Sequence, residues 1–272
     1  MNSCFFTRVY DCLMTVDPIE KVIKTQQCYS DFCAGVLQLN HDLPVHSIPV
    51  PGRPDKPVLI DPREVPQRSI HTTEGRAILA HAIAHIEFNA INLALDAVYR
   101  FRQMPEDFYK DWMKVAKEEA SHFTLICDYL AINQYHYGDY AAHNGLWEMA
   151  LKTDKSCLKR MALVPRVLEA RGLDVTPGMI KKLQKVHDSE LIRCLEVIYS
   201  EEIGHVAIGS RWYYYTCDQQ GVDPRATFLE LLTQENVKNA ISGPFDEWAR
   251  LQAGFSQEEM SDLKLLDAGF KK

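Results

Sequence analysis

Apolar residues recur at helical spacing along most of the chain. In the segment that follows Pro105, the positions Phe108, Trp112, Val115, Glu119, His122, Ile126 and Tyr129 alternate steps of four and three. That is the stripe one helix face buries in a bundle. A later segment repeats it at Leu191, Leu195, Ile198, Glu202, His205, Gly209 and Trp212. Helices are predicted over about 74–101, 105–132, 146–171 and 189–218, with Pro105 at the first helical position and Gly172 as a stop. An amphipathic helix begins at Asp17-Pro18 and runs toward Leu37, Thr176-Pro177 caps a short helix, and the tail 225–272 carries two shorter helical patterns. No segment alternates like a strand. The expectation is an all-α four-helix bundle in a single 1–272 domain. Its parts are an N-terminal helix in 1–40, a strap in 41–73, the bundle in 74–218 and a C-terminal helical extension in 219–272.

Residues 44–66 hold seven of the thirteen prolines. Prolines at that density exclude both a helix and a central strand. Val50, Val58, Leu59, Ile60 and Val65 are interleaved with them, so the strap is expected to lie on the bundle with these residues inward.

Two central positions of each stripe hold Glu and His where Leu would be expected. An unpaired carboxylate in a core costs several kcal/mol or more, so both intrusions require compensation. Each of the other two long helices offers one carboxylate. Glu87 shares a stripe with Ile83, Ala90, Ala94 and Val98, and Glu169 shares one with Leu158, Met161 and Pro165. Glu87 precedes Glu119-x-x-His122 by 32 residues, and Glu169 precedes Glu202-x-x-His205 by 33. The chain carries one constellation twice. The turn near Arg102–Gln103 lies midway between Glu87 and Glu119, so an antiparallel hairpin levels them. The second copy is less regular. If the helix stops at Gly172, the insert 173–188 must carry the chain back, and Glu148 is the alternative ligand.

One Glu from each of two helices and Glu-x-x-His from each of two others form the ferritin-like di-iron or di-manganese arrangement. Four carboxylates neutralise two divalent cations, and oxygen and imidazole donors without thiolate favour iron or manganese. Glu87, Glu119, His122, Glu169, Glu202 and His205 are the expected ligands. Glu119 and Glu202 bridge, Glu87 and Glu169 are terminal, and the histidines complete each iron.

Specific segments carry a resemblance. They are Gly-Arg-Pro at 52–54, Ala-His-Ile-Glu at 84–87, Glu-Glu-Ala-Ser-His-Phe at 118–123 and Tyr-Gly-Asp at 137–139. Leu-Glu-Ala-Arg-Gly-Leu-Asp-Val-Thr-Pro at 168–177, Glu-Ile-Gly-His-Val at 202–206 and Ala-Arg-Leu-Gln-Ala-Gly-Phe at 249–255 complete the set. Over 53–255 the chain resembles the uncharacterised ferritin-like family of bacterial proteins, itself distantly similar to the di-iron tRNA hydroxylases. The resemblance implies a ferritin-like fold and a di-iron centre, and names no substrate.

The expected activity is O2 activation by a di-iron oxidoreductase of hydroxylase or oxygenase type, with an electron donor. The alternatives are a non-catalytic iron-handling protein and an RNA-modifying hydroxylase. The charge of −7 disfavours nonspecific nucleic-acid binding. Yet 152–185 holds nine Lys or Arg against three acids and is the local candidate for a polyanion dock. No run reaches the ~20 apolar residues of a membrane span. The first residues lack a signal-peptide pattern, and eight cysteines without a Cys-x-x-Cys pair read as reduced thiols, so the expected location is the cytoplasm. A homodimer is left open. Around the site, His81 and His85 are expected to pack, Glu118 and Glu201 to be solvated or ion-paired, and Tyr199 to have an ordinary partner. Tyr213, Tyr214 and Tyr215 are expected to pack, and Arg171 to pair with Asp174. Ala90, Ala94 and Gly209 are expected to leave space beside the ligands.

Overall fold

A computed structural model describes residues 4–65, 69–235 and 237–270. Pro66, the last strap proline, and the first three residues, where the leader reading begins, lie outside the described residues. The chain is all-α. Among the described residues, extended pairing is confined to two isolated bridges, Cys4 with Gln38 and Leu59 with Ala142. The fold comprises two compact units, 1–151 with 188–194, and 152–187 with 195–272.

The first unit is organised by the hairpin of α3 (Thr73–Arg100) and α4 (Glu106–Ile132). Thr72 caps α3 by accepting the Gly75 N–H at 3.0 Å. Pro105 occupies the N-cap, one residue before its expected place, because its extended ψ of 155° lies outside the helix. Helix α3 is the one described helix long and apolar enough to cross a membrane, and 83% of its most apolar window is buried within the fold. Against this hairpin pack α1 (Phe5–Met14) and α2 (Pro18–Cys33). Helix α1 was not expected, although Phe5, Phe6, Val9, Cys12 and Leu13 mark one face and all are fully buried. Helix α2 begins as read, with Asp17 accepting the Glu20 N–H at 2.8 Å, and ends at Cys33 short of Leu37. Lys21 is fully buried and ties the pair down. Its Nζ donates to Cys12 O at 3.0 Å, Leu13 O at 2.7 Å and Asn92 Oδ1 at 2.8 Å. Those carbonyls end α1, where a cation also meets the negative end of the helix dipole.

The strap lies along this unit. Gly52 N–H donates to Leu13 O at 3.0 Å, Ile60 N–H to Ala142 O at 2.9 Å, and Trp147 Nε1 to Pro49 O at 3.1 Å. Its inward residues are Ile48, Pro51 and Pro57, whereas Val50 and Val58 are over half exposed. In an extended segment held by backbone hydrogen bonds, the pairing register selects which side chains turn in, not hydrophobicity alone. Helix α5 (Gly145–Lys152) follows.

In the second unit, α6 (Cys157–Leu163), a π-helical segment (Val164–Glu169) and α7 (Ala170–Gln184) form one uninterrupted helical run. Gly172 does not end it, and Pro177 sits inside α7 instead of capping a new helix. A helical Gly and Pro cost about 1 and 3 kcal/mol. Burial of Leu173 and Leu183 and the anchoring of Asp174 offset that cost. After the turn at 185–188 comes α8 (Ser189–Gln220), whose first six residues belong to the first unit and the remainder to the second. The tail has more elements than the two expected: α9 (Pro224–Gln234), a 3-10 turn (Lys238–Ile241), α10 (Glu247–Gln252) and α11 (Gln257–Phe270).

Candidate metal centre

In the first unit the hairpin places Glu87 thirteen residues before the end of α3 and Glu119 thirteen after the start of α4. The two carboxylates therefore stand level. Glu87 is 4% exposed, Glu119 0% and His122 1%. His122 Nδ1 lies 3.3 Å from Glu87 Oε2 and 3.3 Å from Glu119 Oε2. All three offer ligand atoms within 4.8 Å of one another. Glu87 Oε2 is buried, and the His122 ring is the polar group facing it.

The electrostatics of this trio follow from burial. Loss of water and then the neighbouring charge of Glu119 hold the Glu87 carboxyl well above the usual carboxylate range, with His122 pulling the other way. Burial alone would discharge His122, but its hydrogen bonds with Glu119 and Glu87 outweigh that and hold it up to about 11. The charged form of His122 is thus favoured by two buried carboxylates on either side of it. Two carboxylates and one imidazole nitrogen match the donors of a hard-to-intermediate divalent ion.

The second copy lies in the second unit. His205 is fully buried, and its Nδ1 lies 3.4 Å from Glu202 Oε1, whose side chain is 12% exposed. Because the helix continues through Gly172, Glu169 lies fifteen residues before the end of α7, and Glu202 thirteen after the start of α8. The turn at 185–188 is their midpoint, so the mismatch expected from a stop at Gly172 does not arise. Glu148, the alternative, is exposed on α5.

The surrounding candidates sort by contact. His81 Nε2 accepts the Gly138 N–H at 2.9 Å, and its ring stacks on Tyr137. His85 contacts Tyr137 Oη at 2.9 Å and His143 O at 3.1 Å, so both histidines pack. Glu118 is 3.8 Å from Lys114. Tyr199 donates to Asp246 at 2.8 Å, Tyr213 to Pro224 O at 2.7 Å and Tyr214 to Glu259 at 2.9 Å. Asp174 is gripped by Arg250 through two bonds of 2.9 and 2.7 Å. Arg171 pairs with Asp174 more loosely, at 3.9 Å, and also donates to Ser242 O. Ala90 and Ala94 are buried, and Gly209 leaves no space. A Cβ there would stand 2.3 Å from Pro165 Cβ and Cγ.

Within the basic stretch 152–185, Lys152, Lys155, Lys181, Lys182 and Lys185 are exposed. Arg160 and Arg166 are buried, and Lys159 pairs with Glu235 at 3.2 Å. Four cysteines are buried, but Cys33 is exposed.

A protein of Haemophilus influenzae, named only "Uncharacterized protein", is 42% identical over 266 residues, covering 94% of this chain and 92% of the relative. No solved structure matches the chain. The family model described as "Protein of unknown function (DUF455)" matches residues 14–261, and the chain belongs to that family.

Proposed function

We propose that the chain is a ferritin-like di-iron protein that activates O2, of hydroxylase or oxygenase type, acting on an organic substrate with an external electron donor. The reading rests on the duplicated Glu and Glu-x-x-His sets, the first of which is buried with like charges pressed together around one imidazole. A core does not retain that arrangement for stability, since apolar residues of similar volume would serve it better.

Glu87, Glu119 and His122 would hold one iron and Glu169, Glu202 and His205 the other, with Glu119 and Glu202 bridging and manganese as the alternative in either position. When bound, the metals supply electrons for reduction of O2. This chain's residues do the rest. The buried carboxylates neutralise the ions, His122 gives up its proton to become a ligand, and Ile83, Ala90 and Phe123 exclude water around the first set.

Metal analysis of protein purified without added metal, followed by anaerobic reduction and O2 exposure, tests this. About two irons per chain, reoxidised by O2 and supporting electron-donor consumption, is the expected result. Reoxidation without donor-driven turnover would mark an iron-handling protein. Metal at background level, or a single zinc ion, would overturn the assignment.

A further inference from the structure

The second copy differs from the first in one respect. Its terminal carboxylate sits at the end of a π-helical segment, whereas Glu87 lies in regular α-helix. The cause is visible in the sequence of that segment, Val-Pro-Arg-Val-Leu-Glu. Pro165 has no amide to give Met161 O, and in an α-helix its ring would collide with that carbonyl. The backbone opens instead. The Ala170 N–H reaches back five residues to Pro165 O, and the turn gains a residue. An extra residue rotates everything after it by about 100° relative to an unbroken helix. Where Glu169 points therefore depends on whether the π segment is kept.

Two contacts pin that segment, both within the second unit. Arg166 is fully buried, pairs with Glu259 at 2.7 Å and lies over the rings of Phe228 and Phe255, each at 4.4 Å. On the neighbouring position, the Pro165 ring occupies the volume a side chain at Gly209 would need. Gly209 lies one turn after His205, and Pro165 one turn before Glu169. The close approach thus joins α8 to the π segment directly beside the second ligand set. Gly204, on the same helix between Glu202 and His205, has open space at its Cβ. The requirement for glycine is specific to 209.

We propose that Pro165 and Gly209 form a register lock that holds the π segment and so sets Glu169 against Glu202 and His205. Both act as positioning residues for the second metal position. This rests on the di-metal reading above. The lock explains why a bundle seam carries glycine at 209 where the equivalent place on α4 carries Ile126. Pro165 and Gly209 both lie in the second unit, together with the second ligand set.

The test is Co(II) titration of the full chain, followed by visible absorption and by thermal unfolding with and without metal. Wild type should take two equivalents. Gly209→Ala should keep the first and weaken the second at least tenfold. Gly204→Ala, the same change on the same helix, should leave both equivalents intact. Pro165→Ala guards against simple misfolding. Its amide can donate to Met161 O and restore α-helix, so the metal-free protein should melt no lower than wild type while the second equivalent weakens. A packing role alone would lower the melting temperature and spare the second equivalent. Two unaltered equivalents with an unchanged spectrum in Gly209→Ala and Pro165→Ala would overturn the lock. Fewer than two equivalents in wild type would overturn the di-metal reading itself, whatever the variants do.

Discussion

His122 Nδ1 stands 3.3 Å from Glu87 Oε2, joining two helices through a buried imidazole and a carboxylate that burial makes reluctant to ionise. On the di-metal reading this relationship sets metal binding against stability, because without a metal two carboxylates must share a site that excludes water.

Replacing Glu87 with Gln removes one of those carboxyl groups. The metal-free variant is expected to be as stable as wild type or up to about 1 kcal/mol more stable, while binding metal at least tenfold more weakly. Chemical denaturation of the apo protein beside a metal titration checks both directions. A large loss of apo stability would show that Glu87 serves the fold.

On the di-metal reading, in which Glu119 and Glu202 would bridge, Glu119→Ala and Glu202→Ala should each abolish binding of two metals. Wild-type protein should gain about 2.7 kcal/mol at a free metal concentration one hundredfold above Kd. An unchanged melting temperature on metal removal would count against a buried site. Two full equivalents retained by either variant would sink the bridging assignment.

The pH dependence of stability has a clear sign at His81. Burial lowers its folded pKa to about 4, and its Nε2 must stay unprotonated to accept the Gly138 N–H. Between pH 6.5 and 4 the unfolded chain binds a proton the folded chain refuses. Stability is therefore present above pH 6.5 and lost as pH falls toward 4, by up to about 3 kcal/mol. His81→Gln, which can still accept the bond, should reduce the slope over that window, leaving the share that His85, likewise lowered to about 4, contributes. An unchanged slope would assign the acid lability elsewhere.

The all-α fold and the burial of Glu87, Glu119 and His122 were legible because both rest on periodicity. Glu119 and His122 fall where a 3.6-residue repeat demands Leu, and the hairpin turn halves the distance to Glu87. Helix α1 went unread, although Phe5, Phe6, Val9, Cys12 and Leu13 form a face at helical spacing. What local reading missed were places where distant partners override a breaker. Gly172 and Pro177 read as punctuation, yet Asp174 between them is held by Arg250 from α10, and Thr176 Oγ1 donates to Gly172 O at 2.8 Å. The π segment has no periodic signature, since a single Pro165 cannot announce whether a helix ends, kinks or widens.

That override makes Arg250 sensitive. Asp174 and Arg250 are both buried, and removing one partner strands the other's charge. Arg250→Ala should cost about 3–5 kcal/mol. Arg171→Ala, with a partly exposed and more distant pairing, should cost under about 1 kcal/mol. Denaturant midpoints for the two variants decide it, and equal losses would contradict the geometry.

The proline-rich strap gives a prediction that needs no metal. Its prolines lower the entropy of the unfolded segment, so laying it against the first unit costs less than for an ordinary loop. Gly52 marks the tightest approach. A Cβ there would stand 2.3 Å from the Met14 carbonyl carbon and 2.4 Å from Thr15 O, backbone atoms at the end of α1 that cannot swing aside. Gly52→Ala should therefore release the strap from α1, at a cost of about 1–3 kcal/mol. Trypsin reads the difference. Arg53, Lys56 and Arg63 flank the docked stretch, and in wild type they should resist digestion under conditions that remove Lys271 and Lys272, which lie outside the described residues. In Gly52→Ala, cleavage at Arg53 and Lys56 should accelerate at least tenfold, with the released peptide identified by mass. Rapid cutting of the wild type at all three sites, leaving a stable 74–272 fragment with full metal content, would make the strap a linker and α1 with α2 an appendage.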